Sequence, residues 1–258
     1  MLNLRTIAVT RYVTPLREGG SLPAIVEADD DGMYVLKFRG SGHGAKALVA
    51  ELVAGEIARA LGLPVPEIVL ATLDQDLART EPDREIHGLI HDSAGLNVAL
   101  DYLPGAVALD PLVHPVSDVF ASKVVWFDAL VTNVDRSARN TNMLIWHRNP
   151  WLIDHGSTLY FHHAPGWTAP PPAPQAFAGI KSHVLLQRAR QIAEVDAGMA
   201  DALTPEVLDG ILAAVPDEWL ADGGAGLTAA EARDVYRRYL LARLAAPRVF
   251  AEEAVGAR

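Results

Sequence analysis

Asp135 and Asn140 stand five positions apart in the stretch 133–142, NVDRSARNTN, which runs directly into the apolar residues Met143, Leu144 and Ile145. A second short apolar run ends at Ile153, and Asp154-His155-Gly156 follows it. Carboxylates and carboxamides in that order suit phosphoryl transfer. One carboxylate orients or deprotonates an attacking hydroxyl. A second, with an amide oxygen, can hold Mg2+ against the phosphates of ATP, because a hard cation prefers oxygen ligands. Asn and Asp also populate ordinary turns, so the Asp-to-Asn spacing alone reads as a hairpin loop. The ordered pair, with strand-like runs between and Gly156 behind the second Asp, favours the functional reading. Asn142, directly before the strand, competes with Asn140 for the metal.

Lys37 is the other residue out of place. It closes the strand-like run Tyr34-Val-Leu-Lys37-Phe38, on the side shared by apolar neighbours. A lysine there either snorkels from an edge strand to water or neutralises ATP phosphates while a carboxylate of a nearby helix holds it. Two glutamates are available. On a helical wheel Glu56 falls in the apolar sector, as a buried partner would, and Glu51 lies opposite.

These groups must be positioned by something. The first third reads as strands at 6–13, 23–28 and 33–38, with Asp29-Asp-Asp-Gly32 as a hairpin turn between the last two. A glycine-spaced loop, 39–44, leads into a helix at 45–61 that Gly62 and Pro64 stop. Strands follow at 65–73 and 97–103. Ile86, Leu89 and Ile90, around His87 and His91, also look like strand, and no third ligand is near in sequence, which speaks against a zinc site at that pair. Beyond Pro104 the chain reads as mainly helical, at 116–132, 181–197, 205–214 and 228–255, with two short strands at 143–146 and 151–153. Residues 167–174 form a proline-rich loop. His162-His163 read as a surface pair, and Trp126, Trp146, Trp151 and Trp219 as core.

With these residues in hand, the sequence resembles the HipA-like serine/threonine kinases and, more distantly, the lipid kinases. The stretch 51–66, ELVAGEIARALGLPVP, is similar to the family's segment in which an acidic residue precedes a helix ending in Gly-Leu-X-Val-Pro; that register selects Glu51. The resemblance implies that Asp135 is the catalytic aspartate, Asn140 a magnesium ligand, Asp154 the second metal-binding aspartate and Lys37 the ATP-binding lysine. It puts the adenine-contacting hinge at Asp101-Tyr102-Leu103 and a phosphate-covering loop at Gly19-Gly20-Ser21. His155 stands where a Phe is usual, Val134-Asp135-Arg136 replaces His-Arg-Asp, and the length leaves no room for the extra N-terminal subdomain of full-length members. The implied fold is α+β and bilobal, protein-kinase-like: a small antiparallel-sheet lobe with one helix over 1–103, and a larger, mainly helical lobe over 104–258. The implied activity is ATP- and Mg2+-dependent phosphotransfer to a hydroxyl, with a protein Ser or Thr as acceptor. Ser41 or Ser21 would be targets for self-phosphorylation.

Composition bounds the alternatives. With 22 basic against 32 acidic residues and a net charge of -10, a nucleic-acid partner is not expected. No cysteine is present, which excludes disulfides and thiolate metal sites. The sequence carries no signal-peptide core and no run long enough for a membrane span, so a cytoplasmic protein without membrane contact is expected. Rival functions remain: a nucleotide-binding regulatory module with little turnover, and a kinase-fold enzyme that phosphorylates a small-molecule hydroxyl or transfers the nucleotidyl group instead. The sequence is silent on any regulatory protein partner.

Overall fold

The computed structural model describes residues 2–16, 22–42, 44–169, 175–221 and 226–258. Gly19, Gly20 and Ser21, the expected phosphate-covering loop, lie outside the described residues.

Five strands, β1 (Thr6–Pro15), β2 (Ala24–Ala28), β3 (Met33–Lys37), β4 (Ile68–Leu73) and β5 (Gly95–Asp101), close into a barrel in the order β1-β2-β3-β5-β4. The expected antiparallel sheet is thus a closed barrel with one parallel pairing. Residues 6–8 run parallel to 70–72, which joins the first strand to the fourth and removes the free edge. Alternation along the strands assigns two faces. Val69, Ala71 and Ala99 point into the barrel with Ile7, Val26, Tyr34 and Leu36. Ile68, Val98 and Leu100 point outward onto α1 (Gly44–Ala60) and the helices beyond.

That outward face explains why the helical wheel misleads for α1. The helix is covered by the barrel on one side and by helices on the other, and residues 48–58 are all buried, Glu51 and Glu56 included. A helix enclosed all round has no polar face for a wheel to find. Residues 84–92 form a helix, α2 (Arg84–Asp92), not the expected strand; Asp83 caps it, and Ile86 and Ile90 plug the barrel. Its histidines face out.

After β5 the chain forms a small sheet, β6 (Val107–Ala108), β7 (Met143–Trp146) and β8 (Asn149–Leu152), with α3 (Asp118–Leu130) inserted between β6 and β7. The expected helix at 181–197 is replaced by two short 3-10 turns and α4 (Ile192–Ala202). Leu185, Leu186, Ala189 and Ile192 are buried there at spacings that a helix would also give, so the apolar pattern does not separate the turns from a helix. α5 (Pro205–Ala213) and α6 (Asp217–Ala221) follow. The long final helix is two, α7 (Ala229–Leu244) and α8 (Val249–Ala257). Pro247 cannot donate the hydrogen bond a continuous helix needs. His162 is not a surface residue: it is fully buried, its Nδ1 2.8 Å from the Tyr236 hydroxyl. Trp126 and Trp219 are core, whereas Trp146 and Trp151 stack edge to face in a half-buried pair beside the small sheet. No helix among the described residues is long and apolar enough to cross a membrane.

Candidate active site

A cleft of about 490 Å³ opens between the barrel and the β6–β8 sheet. Its walls take in Val35 and Lys37 from β3, Leu100 to Leu103 at the end of β5, Asn140 and Asn142, and Ile153 and Asp154 after β8. The β3 alternation turns Tyr34 and Leu36 into the barrel and leaves Val35 and Lys37 facing the cleft. The Lys37 Nζ donates to Asp154 Oδ1 at 2.7 Å and lies 3.7 Å from Glu51 Oε2. Two residues distant in sequence thus meet through the fold, with a carboxylate from α1 beside them. Glu56, the wheel's choice, is turned away and pairs with Arg59 at 3.3 Å.

Charge in this trio is mutually sustained. Burial disfavours the Lys37 ammonium, yet Glu51 and Asp154 outweigh that and move its pKa up. Burial likewise opposes the Glu51 carboxylate, but Lys37 and His155 hold its pKa down. The His155 backbone N–H donates to Glu51 Oε2 at 3.0 Å, so the residue after Asp154 is tied to α1. Asp154 itself has a left-handed backbone, φ +56, as does Asn142, φ +46. Such geometry is uncommon away from glycine and aims both side chains at one place. The two loops are joined directly: the Ile153 N–H donates to the Asn142 carbonyl at 3.0 Å.

Asp135 sits at the head of the loop entering β7. Its Oδ2 accepts from Asn140 Nδ2 at 2.9 Å and from Asn142 Nδ2 at 3.1 Å. An amide that turns its NH2 to Asp135 presents its oxygen on the opposite side, where a cation could use it. Among the described residues no three His, Cys, Asp or Glu side chains gather into a metal site. A cation in this cleft would be held by Asp154, amide oxygens and the oxygens of its own ligand, a hard donor set that fits Mg2+. Asn140 and Asn142 both meet that description.

Beneath this loop lies a network that sequence reasoning missed. Asp128, fully buried in α3, accepts from Asn133 Nδ2 at 2.8 Å, from Arg136 Nε at 2.6 Å and pairs with His183 Nε2 at 2.8 Å. Arg136, also buried, reaches on to the Asn142 carbonyl. Asn133 in turn accepts the Asp135 N–H at 3.0 Å. Burial alone would raise the Asp128 pKa, but Arg136, His183 and Asn133 bring it down to about 2. The signal was in the sequence: an Asp inside the apolar run VVWFDAL needs a buried partner.

Asp101, Tyr102 and Leu103 line the cleft at the barrel's exit, where the Tyr102 N–H donates to the Met33 carbonyl at 3.0 Å. Burial and the nearby Glu67 push the Asp101 carboxyl up. The glycine-spaced stretch after β3 is not part of the cleft wall. Arg39 and Gly40 are pinned to the α2–β5 corner, Gly40 N donating to Ser93 Oγ at 3.0 Å and Arg39 N to Asn97 Oδ1 at 2.8 Å.

A sequence model of the HipA-like kinases matches residues 9–251. The chain belongs to the HipA-like kinase family. Membership places it among kinase-type phosphotransferases. Among solved structures it is similar to CtkA, a proinflammatory kinase of Helicobacter pylori, at 13% identity, TM-score 0.60, covering 99% of this chain and 98% of that one. That likeness establishes a kinase fold across the whole chain. A Golgi casein kinase with Mn/ADP bound matches at 11% identity and TM-score 0.48, over 98% of this chain and 74% of that one. No curated protein sequence matches.

Proposed function

We propose that this kinase transfers the γ-phosphoryl group of ATP, with Mg2+, to a hydroxyl, a protein Ser or Thr. The observation that carries it is the Lys37–Asp154 ion pair, 2.7 Å long and 117 residues apart in sequence, on the wall of a cleft that also takes in Asn140 and Asn142. An ammonium and a carboxylate in contact form two halves of a receptor: one half fits phosphate oxygens, the other a divalent cation. The lysine would neutralise the phosphates, with Glu51 fixing its place. Asp154 with Asn140 or Asn142 would hold Mg2+, which supplies charge neutralisation at the phosphates when bound. The base would lie against Asp101–Leu103, and the β1–β2 connection, with Gly19, Gly20 and Ser21, would cover the phosphates. In this reading the lobes divide near residue 103.

Asp135 acts on the acceptor. Its Oδ2 is engaged by two amides, which orients the carboxylate toward an incoming hydroxyl. The acceptor oxygen forms its bond to the γ-phosphorus while the bond to the β,γ-bridging oxygen breaks. The hydroxyl proton passes to Asp135, and the electron pair leaves with ADP. Positioning and charge neutralisation supply most of the rate. Ser or Thr as the acceptor rests on the family.

The test is incubation of the protein with ATP, Mg2+ and a cell lysate, followed by mass spectrometry of labelled species. A gain of about 80 Da, one phosphoryl group, on Ser or Thr is expected. Gain of a whole nucleotidyl group would replace this reading with nucleotidyl transfer. No modification, with ATP bound, would reduce the chain to a regulatory module.

A further inference from the structure

His155 occupies a seat that packing alone would give to a phenylalanine. The ring is fully buried and meets Phe127 edge to face, centroids 5.8 Å apart. Neither ring nitrogen has a hydrogen-bond partner. Its nearest charged group is Glu51, whose Oε1 lies 3.5 Å from Nδ1 and is itself buried without a hydrogen bond. Two orphaned polar atoms facing each other in an apolar setting are costly unless they serve one another.

The pairing also resolves how Glu51 divides its oxygens. Oε2 takes the His155 backbone N–H at 3.0 Å and faces Lys37 Nζ at 3.7 Å. Oε1 faces the ring of the same residue. One residue therefore grips both oxygens and sets the plane of the carboxylate. A bare Nδ1 lone pair would repel Oε1; only a proton on Nδ1 makes the contact attractive.

The geometry points to His155 as a positioning residue: its ring Nδ1–H and its backbone N–H together hold Glu51 so that Oε2 is presented to Lys37. The inference rests on the kinase reading, in which Lys37 meets the phosphates. Lys37 now donates to Asp154 at 2.7 Å. A cation at Asp154 would compete for that oxygen, and Lys37 would then depend on Glu51 alone. Because His155 directly follows Asp154, the lysine's brace and the metal-binding aspartate move as one unit.

The experiment is a double-mutant cycle read by calorimetric titration of ATP with Mg2+ and by steady-state kinetics. His155→Phe fills the seat but lacks the donor; it is expected to weaken ATP binding and raise the KM for ATP about tenfold, with kcat changed less. His155→Asn, which can place an N–H near Nδ1, should restore binding to within about threefold of wild type. In a Glu51→Gln background His155→Phe should have almost no further effect, because the residue it acts through is already altered. Full additivity of the two substitutions would overturn the assignment, as would a phenylalanine variant that binds ATP like wild type. Should His155→Phe fail to fold, nitrogen NMR of the wild-type histidine decides: a proton on Nδ1 is expected, and an Nε2–H tautomer with bare Nδ1 overturns the proposal. Failure of the reading that Lys37 meets the phosphates of ATP looks different: the wild-type protein would then bind no ATP at all.

Discussion

At the Lys37 end of the cleft, charged groups from both walls hold one another. Lys37 lies between two carboxylates, 2.7 Å from Asp154 and 3.7 Å from Glu51, and the proposed ligand would engage Lys37 and Asp154. On the helical side the arrangement is layered. The Asp135 carboxylate receives only amide hydrogens among the described residues, while the buried ion pair of Asp128 and Arg136 lies beneath it, joined by the His183 ring. The first region keeps its charges available by letting them pair provisionally, so ligand binding must rearrange them. The second is set in advance, because its scaffold is sealed from ligand and solvent alike. The proposed reaction would use both: phosphates and metal would arrive and leave, whereas the group that orients the acceptor must not move.

Removing Asp135 tests the preset side most directly. Asp135→Ala should lower phosphotransfer about a thousandfold, with ATP affinity changed by less than about threefold, since in the proposed reaction the carboxylate would touch the acceptor and not the nucleotide. If ATP binding falls equally, the two sides are not separable.

The scaffold under that loop should behave as a stability element. Asp128→Ala strands Arg136 and His183 in the interior and is expected to cost about 3 kcal/mol or more in chemical denaturation. Asp128 also gives acid sensitivity a defined sign. Its folded pKa of about 2 lies below the ordinary 3.8, so the unfolded chain binds the proton more readily. The stability it contributes is complete above about pH 4 and fades as pH falls toward 2. Denaturation midpoints measured between pH 6 and 2 should fall less steeply in Asp128→Asn than in wild type.

Asp154→Ala addresses the provisional side. It should weaken Mg-ATP binding about 10- to 100-fold, the loss of one charged contact, and metal-free nucleotide much less. Equal loss with and without Mg2+ would deny Asp154 a metal role. The smallest effect belongs to Glu56→Gln. That carboxyl is pushed up by burial and partnered by Arg59 away from the cleft. Phosphotransfer should stay within about twofold and stability within about 1 kcal/mol; a larger loss of activity would reopen the choice between the two glutamates.

Much of this was legible in the residues. Short strand-like runs located all five barrel strands, and Gly62 and Pro64 ended α1 where the chain turns. The Asp135–Asn140 spacing, the Asp-X-Gly turn and the lone strand lysine marked Lys37, Asn140 and Asp154, which line one cleft, and Asp135, which accepts a hydrogen bond from Asn140. Closure of the barrel was not legible, because the parallel pairing of β1 with β4 joins segments some sixty residues apart and leaves no local pattern. Residues 86–90 misled for a related reason: an apolar stretch that short fits a strand as well as a helix, and only the open mouth of the barrel required a helical plug.

By itself the sequence determined the chemical inventory: which side chains carry charge, which carry amide oxygens, and the local elements that bear them. The tertiary structure decided the pairings. Glu51 rather than Glu56 faces Lys37 because α1 is enclosed on all sides, so its rotation is fixed by packing against two bodies at once and not by one polar face. Asp128 finds Arg136 and His183, and His155 finds Glu51, for the same reason: a buried charge selects its partner by distance in space, a quantity that one-dimensional order does not contain.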